Sequence, residues 1–283
     1  MLPVLAQIGP FTLYAYTVLI DAGLVVALAA LYYQAPVGKA WRWLDLGLAA
    51  AIGGFVGARL LYVSINADYY LPHIDEVVQV WQGGLAWLGA PAGAFVGAWL
   101  YARGRREPLG PVFDALALPF GLLSLLAWAG CLAAGAAYGY AVAPGQLPSW
   151  FVSQAPDIFG LVMTRFPTQA LGIAWSVLAL LAIWGTRRGT GTRWAPGALG
   201  AYSLSLAALG VFLLSFTRGD PAPLVRGYRI DVVGAALVLV AATGAWAFRL
   251  ARGTPPSPAP AADSAAPTEP AASAAPTDSV TNG

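Results

Sequence analysis

The 283-residue sequence is 58% hydrophobic and only 10% charged, with a mean hydropathy of +0.66. Because soluble domains carry about 25% charged residues, this composition indicates a polytopic membrane protein. A net charge of +2 from scattered basic residues argues against nucleic-acid binding. One cysteine and one histidine exclude an intrachain disulfide and a Cys-rich or His-rich metal site, and nothing in the sequence indicates a cofactor.

A membrane-spanning helix needs about 20 mostly apolar residues. Seven stretches meet this criterion, so the sequence predicts an all-α membrane protein with seven transmembrane helices. Glycines four residues apart in several of them predict that these helices pack closely on one another. The predicted spans are residues 13–33, 45–65, 83–102, 113–134, 169–186, 197–216 and 231–250.

The basic residues are divided unevenly between the two sets of loops. Ten of the fifteen lysines and arginines follow spans one, three, five and seven, and four lie in the loops of the other set. Since cytoplasmic loops are enriched in lysine and arginine, this bias predicts an external N-terminus and a cytoplasmic C-terminus. Residues 1–252 therefore form the predicted transmembrane domain. Residues 253–283 are rich in proline, alanine, serine and threonine, which predicts a disordered cytoplasmic tail.

Arg59 lies inside the second predicted span, six residues before its end. A cation there costs about 2.5–3.5 kcal/mol on insertion scales, so it indicates a site. The side chain could reach the outer headgroups along the helix. Alternatively, its planar guanidinium could bind a lipid phosphate. The second interpretation is favoured because intramembrane charges usually face the interior of a bundle.

Three further polar residues are predicted on the same outer side as Arg59, namely Arg165, Gln169 and Arg218. Taken singly, such arginines are usually interfacial anchors. If the arginines converge, however, they form an anion site. Tyr16 and Tyr138 lie at the outer half or interface, where tyrosines commonly form an aromatic belt.

Several motifs resemble those of the prolipoprotein diacylglyceryl transferase family. The matching segments are Gly9-Pro10 followed by Tyr16, GARLLYV at 57–63 with DYY at 68–70, Trp81-Gln82-Gly83-Gly84, AWAGCLAAGAAYG at 127–139, Arg165-Phe-Pro-Thr-Gln169, and Phe216-Thr-Arg218 with Asp220. The resemblance implies a seven-span enzyme of the bacterial inner membrane that moves diacylglycerol from phosphatidylglycerol to the cysteine thiol of a lipoprotein signal peptide. It also implies that Arg59, Arg165 and Arg218 hold phosphate and that Gln169, Tyr16 and Tyr138 line the substrate site.

The chain departs from the family pattern at positions that carry charge or a base in the family. Leu88 replaces a histidine, Trp128 and Val211 replace arginines, and Gly172 and Ser215 replace glutamates. A thiol nucleophile needs a nearby base or cation, and a phosphate leaving group needs fixed donors. No catalytic residue is therefore assigned.

Two hypotheses remain open for the function. The first is diacylglyceryl transfer, and the second is a catalytically silent relative that binds anionic phospholipid or lipoprotein partners. A small transporter is disfavoured because no inverted repeat is visible.

Overall fold

Helices make up most of the computed structural model, which describes residues 4–8, 11–80, 83–156, 160–189 and 194–252. One of them is a single turn, α3 (Ala67–Tyr70). The long ones are α1 (Ala15–Gln34), α2 (Ala40–Ile65), α4 (Gly89–Arg105), α5 (Leu109–Ala134), α6 (Thr168–Arg188), α7 (Ala198–Ser215) and α8 (Ile230–Ala251). Each of the long helices overlaps one predicted span. The predicted tail at 253–283 lies outside the described residues.

The third predicted span starts too early. Helix α4 begins at Gly89 rather than at residue 83. Gly83 and Gly84 have φ of +89° and +83°, a left-handed conformation that an α-helix cannot contain. The apolar run is therefore longer than the helix within it.

Six of the described helices are long and apolar enough to cross a membrane, namely α1, α2, α5, α6, α7 and α8. Helix α4 has 17 residues. Its length of about 26 Å is slightly less than the ~30 Å hydrocarbon core of a bilayer. The seventh span and the orientation of the termini therefore remain predictions.

Helices dominate the described residues, as expected for the predicted all-α class, but these residues also include three antiparallel hairpins that the sequence did not predict. They are β1 (Val4–Ile8) with β2 (Phe11–Tyr14), β3 (Ser153–Pro156) with β4 (Val162–Arg165), and β5 (Leu224–Val225) with β6 (Tyr228–Arg229). Such short strands fall below the window of a hydropathy analysis. The turn of the last hairpin has positive φ at both central residues, Arg226 and Gly227, as a type I′ turn requires.

Helices α2 and α4 pack backbone against backbone, as the glycine spacing predicts. A Cβ atom added to Gly93 would lie 2.0 Å from the carbonyl oxygen of Gly53, and one added to Gly89 would lie 2.2 Å from that of Gly57. Because no side chain separates the helices, α4 is held firmly along α2. This pairing fixes the position of the segment that precedes α4.

Helix α5 is shared by the two apolar clusters of the bundle. Val112 and Ala115 belong to a cluster with residues of α1, α2 and α4. Ala117 packs with Ile183 of α6 and Leu199 of α7 in the other cluster. Helix α5 therefore lies between the two halves of the bundle. The extended segment that follows it, residues 138–142, is called the segment after α5 below.

Candidate functional site

The extended segment after α5 brings two of the predicted arginines together. The segment is paired on both edges at Tyr140. The carbonyl oxygen of Tyr140 accepts the N–H of Phe166 at 3.0 Å, and the N–H of Tyr140 donates to the carbonyl of Thr217 at 3.0 Å. Arg165 and Arg218 adjoin these two partners in sequence. The backbone pairing therefore places both arginines beside the same strand-like segment, one on each edge.

Arg165 is 5% exposed and lies over the ring of Tyr138, with its Cζ atom 4.4 Å from the ring centroid. This is a cation–π contact with a tyrosine that is itself only 4% exposed. The Nη1 of Arg165 also lies 3.4 Å from the carbonyl oxygen of Gly139. A Cβ on Gly139 would lie 2.1 Å from the carbonyl oxygen of Phe166, so only glycine permits this close approach.

Gln169 lies at the start of α6 and is 2% exposed. Its Nε2 donates to the carbonyl of Ala136 at 2.7 Å, and it lies 3.4 Å from that of Cys131. The preceding Thr168 bonds to Thr217 through its hydroxyl. These contacts join α6 to the end of α5 and to the end of α7. Gln169 thus supports the segment that carries Tyr138.

Arg218 belongs to a group of four charged side chains that is called the outer ion cluster because it lies on the predicted outer side: Arg218, Asp220, Arg229 and Asp231. Arg218 forms a bidentate pair with Asp220 at 2.8 and 2.5 Å, and its Nη1 lies 3.4 Å from Asp231. Arg229 Nη2 lies 3.1 Å from Asp231 and 3.4 Å from Asp220. Arg229 also donates to the backbone carbonyl of Asp220. The formal charge of the cluster is zero.

Burial by itself lowers the pKa of Arg218, but the hydrogen bonds and charge of Asp220, with the charge of Asp231, outweigh burial and raise this pKa above its ordinary value. The guanidinium therefore stays charged. All four side chains of the outer ion cluster are at most 18% exposed. Charges in such surroundings interact more strongly than they would in water.

Asp231, whose role was not predicted from the sequence, links the outer ion cluster to another part of the fold. Its Oδ1 accepts a hydrogen bond of 3.0 Å from the indole N–H of Trp87, a residue that also went unnoticed. Asp231 is 6% exposed and lies in the first turn of α8. One sequence feature could have identified Asp231. It is an acidic residue two positions after Arg229, at the start of an apolar span.

Arg59 is 6% exposed, and its guanidinium contacts the segment between α2 and α4, which is predicted to lie outside and is called the outer loop below. Nε donates to the carbonyl of Val77 at 2.8 Å and Nη2 to that of Glu76 at 2.7 Å. Nη1 donates to Gly83 at 2.7 Å and to Gly84 at 3.1 Å. These bonds use four of the five N–H groups of an arginine. The side chain is thus occupied by backbone carbonyls of the protein. Its binding of phosphate remains a prediction.

Tyr16 lies at the start of α1 and is 40% exposed. Its ring packs against α5, where a Cβ on Gly130 would be 3.1 Å from its Cδ2.

Of the six residues predicted from the sequence, the segment after α5 thus brings together Arg165, Tyr138, Gln169 and Arg218. Arg59 and Tyr16 make their described contacts elsewhere, with the outer loop and with α5.

The comparison with known proteins agrees with the motifs. A family model described as prolipoprotein diacylglyceryl transferase matches residues 3–248. The chain belongs to this family. The family suggested by the motifs is therefore confirmed, although Gly9-Pro10 and Trp81-Gln82 of those motifs lie outside the described residues.

Proteins named phosphatidylglycerol–prolipoprotein diacylglyceryl transferase are similar to this family member. The one from Rhodococcus jostii is 32% identical, over 83% of this chain and 70% of that protein. The one from Nocardia farcinica is 30% identical, over 86% and 52%, and the one from Frankia alni is 32% identical, over 83% and 63%. The chain thus spans between about half and seven tenths of the length of these relatives.

In this family member, apolar contacts occupy positions at which the motif resemblance implies charged residues. A Cβ on Gly172 would lie 2.2 Å from Cδ2 of Trp128, so the indole fills the space that a side chain at 172 would need. The motif comparison assigns an arginine to position 128 and a glutamate to 172. The two positions face each other, with a bulky ring over a glycine where the motif resemblance implies two charged residues.

The side chains at the other positions that depart from the family motifs, Leu88, Val211 and Ser215, also contact the interior of the bundle. The side chain of Leu88 covers Gly234 of α8, where an added Cβ would lie 2.2 Å from the leucine Cδ1. Ser215 is 1% exposed, and its hydroxyl donates to the carbonyl of Val211 on its own helix at 2.7 Å. Val211 and Trp128 line the same small cavity inside the bundle, between α5, α6 and α7.

Gly172→Ala is expected to destabilise the protein by about 1–3 kcal/mol, because the new methyl overlaps Trp128. Combining it with Trp128→Leu should recover much of this loss, since the smaller side chain leaves room. The measurement is the thermal unfolding midpoint of all variants in one detergent. Gly185→Ala in the same helix, where no atom lies within 4 Å of the added Cβ, is the control. Additive effects of the two substitutions would contradict the assigned contact.

Proposed function

We propose that this chain binds phosphatidylglycerol on the outer side of a bacterial inner membrane and transfers its diacylglyceryl group to the cysteine thiol of a prolipoprotein. The observation that carries this proposal is the placement of Arg165 and Arg218 on the two edges of the segment after α5. Family membership supplies the reaction type, because the relatives are named for this transfer.

The proposed reaction requires fixed cations or hydrogen-bond donors that hold the charge of the departing phosphate. The thiolate sulfur forms a bond to the terminal glyceryl carbon of the diacylglyceryl group, while the bond from that carbon to the phosphate oxygen breaks. Glycerol phosphate leaves with the electron pair. The thiol proton passes to a general base. Arginine forks suit phosphate oxygens, and donors of this kind typically account for about 2.7–4 kcal/mol each when they act on developing charge.

The proposed topology has seven spans, with the N-terminus outside and the C-terminus in the cytoplasm. Two observations support it. Helix α4 packs against α2 through glycine backbones along much of its length. Ten of the fifteen basic residues fall on the side assigned to the cytoplasm. In this orientation the segment after α5 and the outer ion cluster face the external leaflet, where the lipid would enter.

The proposal is tested by expressing the chain in a bacterium depleted of its own transferase. We expect prolipoprotein to gain the mass of a diacylglyceryl group, and Arg165→Ala and Arg218→Ala to lower the rate by about a hundredfold. Arg226→Asn is a control, because Arg226 is exposed on the same side and asparagine tolerates its φ of +49°. If no prolipoprotein is converted while the protein accumulates in the membrane as an active transferase does, the enzyme proposal is wrong.

A second candidate function is a catalytically silent relative that binds anionic phospholipid or lipoprotein partners. The packing of Trp128 on Gly172 favours it, because the interior positions that carry charge in the family pattern are apolar here. This candidate predicts that phosphatidylglycerol copurifies with the protein in an Arg218-dependent manner although no prolipoprotein is converted. Copurification and conversion together would favour the transferase.

A further inference from the structure

We propose that Trp87 is a positioning residue that couples the orientation of Arg218 to the outer loop held by Arg59. This inference rests on the proposed binding of an anionic phospholipid by Arg218. It assigns a role to a tryptophan outside the residues carried over from the family motifs. Three successive sets of contacts connect Arg59 to the outer loop, the loop to Trp87, and Trp87 through Asp231 to Arg218.

The first step is the rigidity of the outer loop. Arg59 bonds to four backbone carbonyls between residues 76 and 84, and its Cζ lies 5.3 Å from the ring centroid of Tyr70. A Cβ on Gly84 would lie 2.7 Å from Arg59 Nη1 and 2.5 Å from the ring of Tyr62. A buried guanidinium whose N–H groups are satisfied by carbonyls holds those carbonyls in place, since leaving it unpaired would cost its desolvation.

The second step connects this loop to Trp87. The N–H of Ala86 donates to the carbonyl of Ala58 at 3.0 Å, so the residue before Trp87 is bonded to the residue before Arg59. Leu88, on the other side of Trp87, packs against Gly234 of α8. The backbone at Trp87 is thus fixed on both sides, and its indole reaches the start of α8.

The third step is the sharing of the Asp231 carboxylate between Trp87 and the two arginines. Oδ1 accepts the Trp87 N–H at 3.0 Å, whereas Oδ2 lies 3.1 Å from Arg229 and 3.4 Å from Arg218. One oxygen thus contacts the loop and the other contacts both arginines. Because the Trp87 N–H holds Oδ1, the Asp231 carboxylate cannot rotate toward the two arginines without breaking that bond. The indole bond therefore sets the direction in which Asp231 holds Arg218.

The test measures lipid binding by purified full-length protein, titrated with phosphatidylglycerol and, separately, with zwitterionic phosphatidylethanolamine. Trp87→Phe keeps an aromatic ring and removes the N–H donor. We expect its phosphatidylglycerol affinity to fall about tenfold, as for loss of a hydrogen bond to a charged group, with phosphatidylethanolamine binding unchanged. Trp150→Phe is the control, because Trp150 is on the same side and 82% exposed. A merely structural role would lower binding of both lipids.

A double-mutant cycle tests the connection to Arg59. If the coupling exists, Arg59→Lys and Trp87→Phe together weaken phosphatidylglycerol binding less than the product of their separate effects. If Arg59→Lys does not accumulate, Tyr70→Leu replaces it, because it weakens the support of Arg59 without removing the charge. Multiplicative effects would show that Arg59 and Trp87 act independently, and the inference would be wrong.

The outcomes separate this inference from the proposed function. Wild-type protein that prefers phosphatidylglycerol, together with a Trp87→Phe variant that binds it equally well, would overturn the positioning role alone. Wild-type protein without this preference, or an Arg218→Gln variant that retains it, would overturn the proposed lipid site and the positioning role with it.

Discussion

Gly93→Leu is expected to prevent the folded bundle from accumulating. The backbone of α4 lies so close to α2 at this position that even a Cβ would be 2.0 Å from the carbonyl oxygen of Gly53. Overpacking by a methylene or two commonly costs about 1–3 kcal/mol, and a leucine in a backbone contact exceeds that case. The measurement is the fraction of folded protein recovered in detergent, together with its thermal unfolding midpoint.

The matched control is Gly104→Leu, the same substitution on the same helix. No heavy atom lies within 4 Å of a Cβ added there, so near-wild-type recovery is expected. Gly93→Ala should fall between the two leucine variants. If Gly93→Leu were recovered as well as Gly104→Leu, the close backbone packing of α2 and α4 would be refuted.

Asp231→Ala is expected to lower the free energy of unfolding by about 3–5 kcal/mol, the usual cost of removing one partner of a buried ion pair. The substitution removes the carboxylate shared by Arg218 and Arg229 and leaves the Trp87 N–H without its acceptor. The unfolding midpoint in detergent is the measurement. Because the site is largely buried, added salt should change this loss only slightly.

Asp75→Ala serves as the control, since Asp75 is an exposed acidic residue on the same side. The double variant Asp231→Leu with Arg229→Leu should be more stable than Asp231→Ala alone, because replacing both members of a buried pair avoids an uncompensated charge. A loss below about 1 kcal/mol in Asp231→Ala, the value typical of surface pairs, would show that the outer ion cluster is solvated.

The burial of Arg59 could be predicted, because a cation inside an apolar run is costly unless the protein surrounds it. Its partners could not be predicted. They are backbone carbonyls of residues 76, 77, 83 and 84, and every residue type supplies such a carbonyl. The turn that presents two of them depends on the left-handed backbone at Gly83 and Gly84.

The outer ion cluster was only half predictable for a similar reason. Arg218 and Asp220 are two residues apart, and their proximity is visible in the sequence. The bond between Trp87 and Asp231 joins residues 144 positions apart. The contact of Trp128 with Gly172 likewise joins two helices. Contacts of this kind arise from the way the helices pack and leave no local pattern.

The amino-acid sequence by itself determined the helical membrane bundle, the approximate limits of its long helices and the family, because each depends on composition and motifs within windows of about 20 residues or fewer. Only the tertiary structure decided which groups each buried charge meets. A buried guanidinium must be satisfied by whatever acceptors the packed helices bring to it, and those acceptors come from distant parts of the chain.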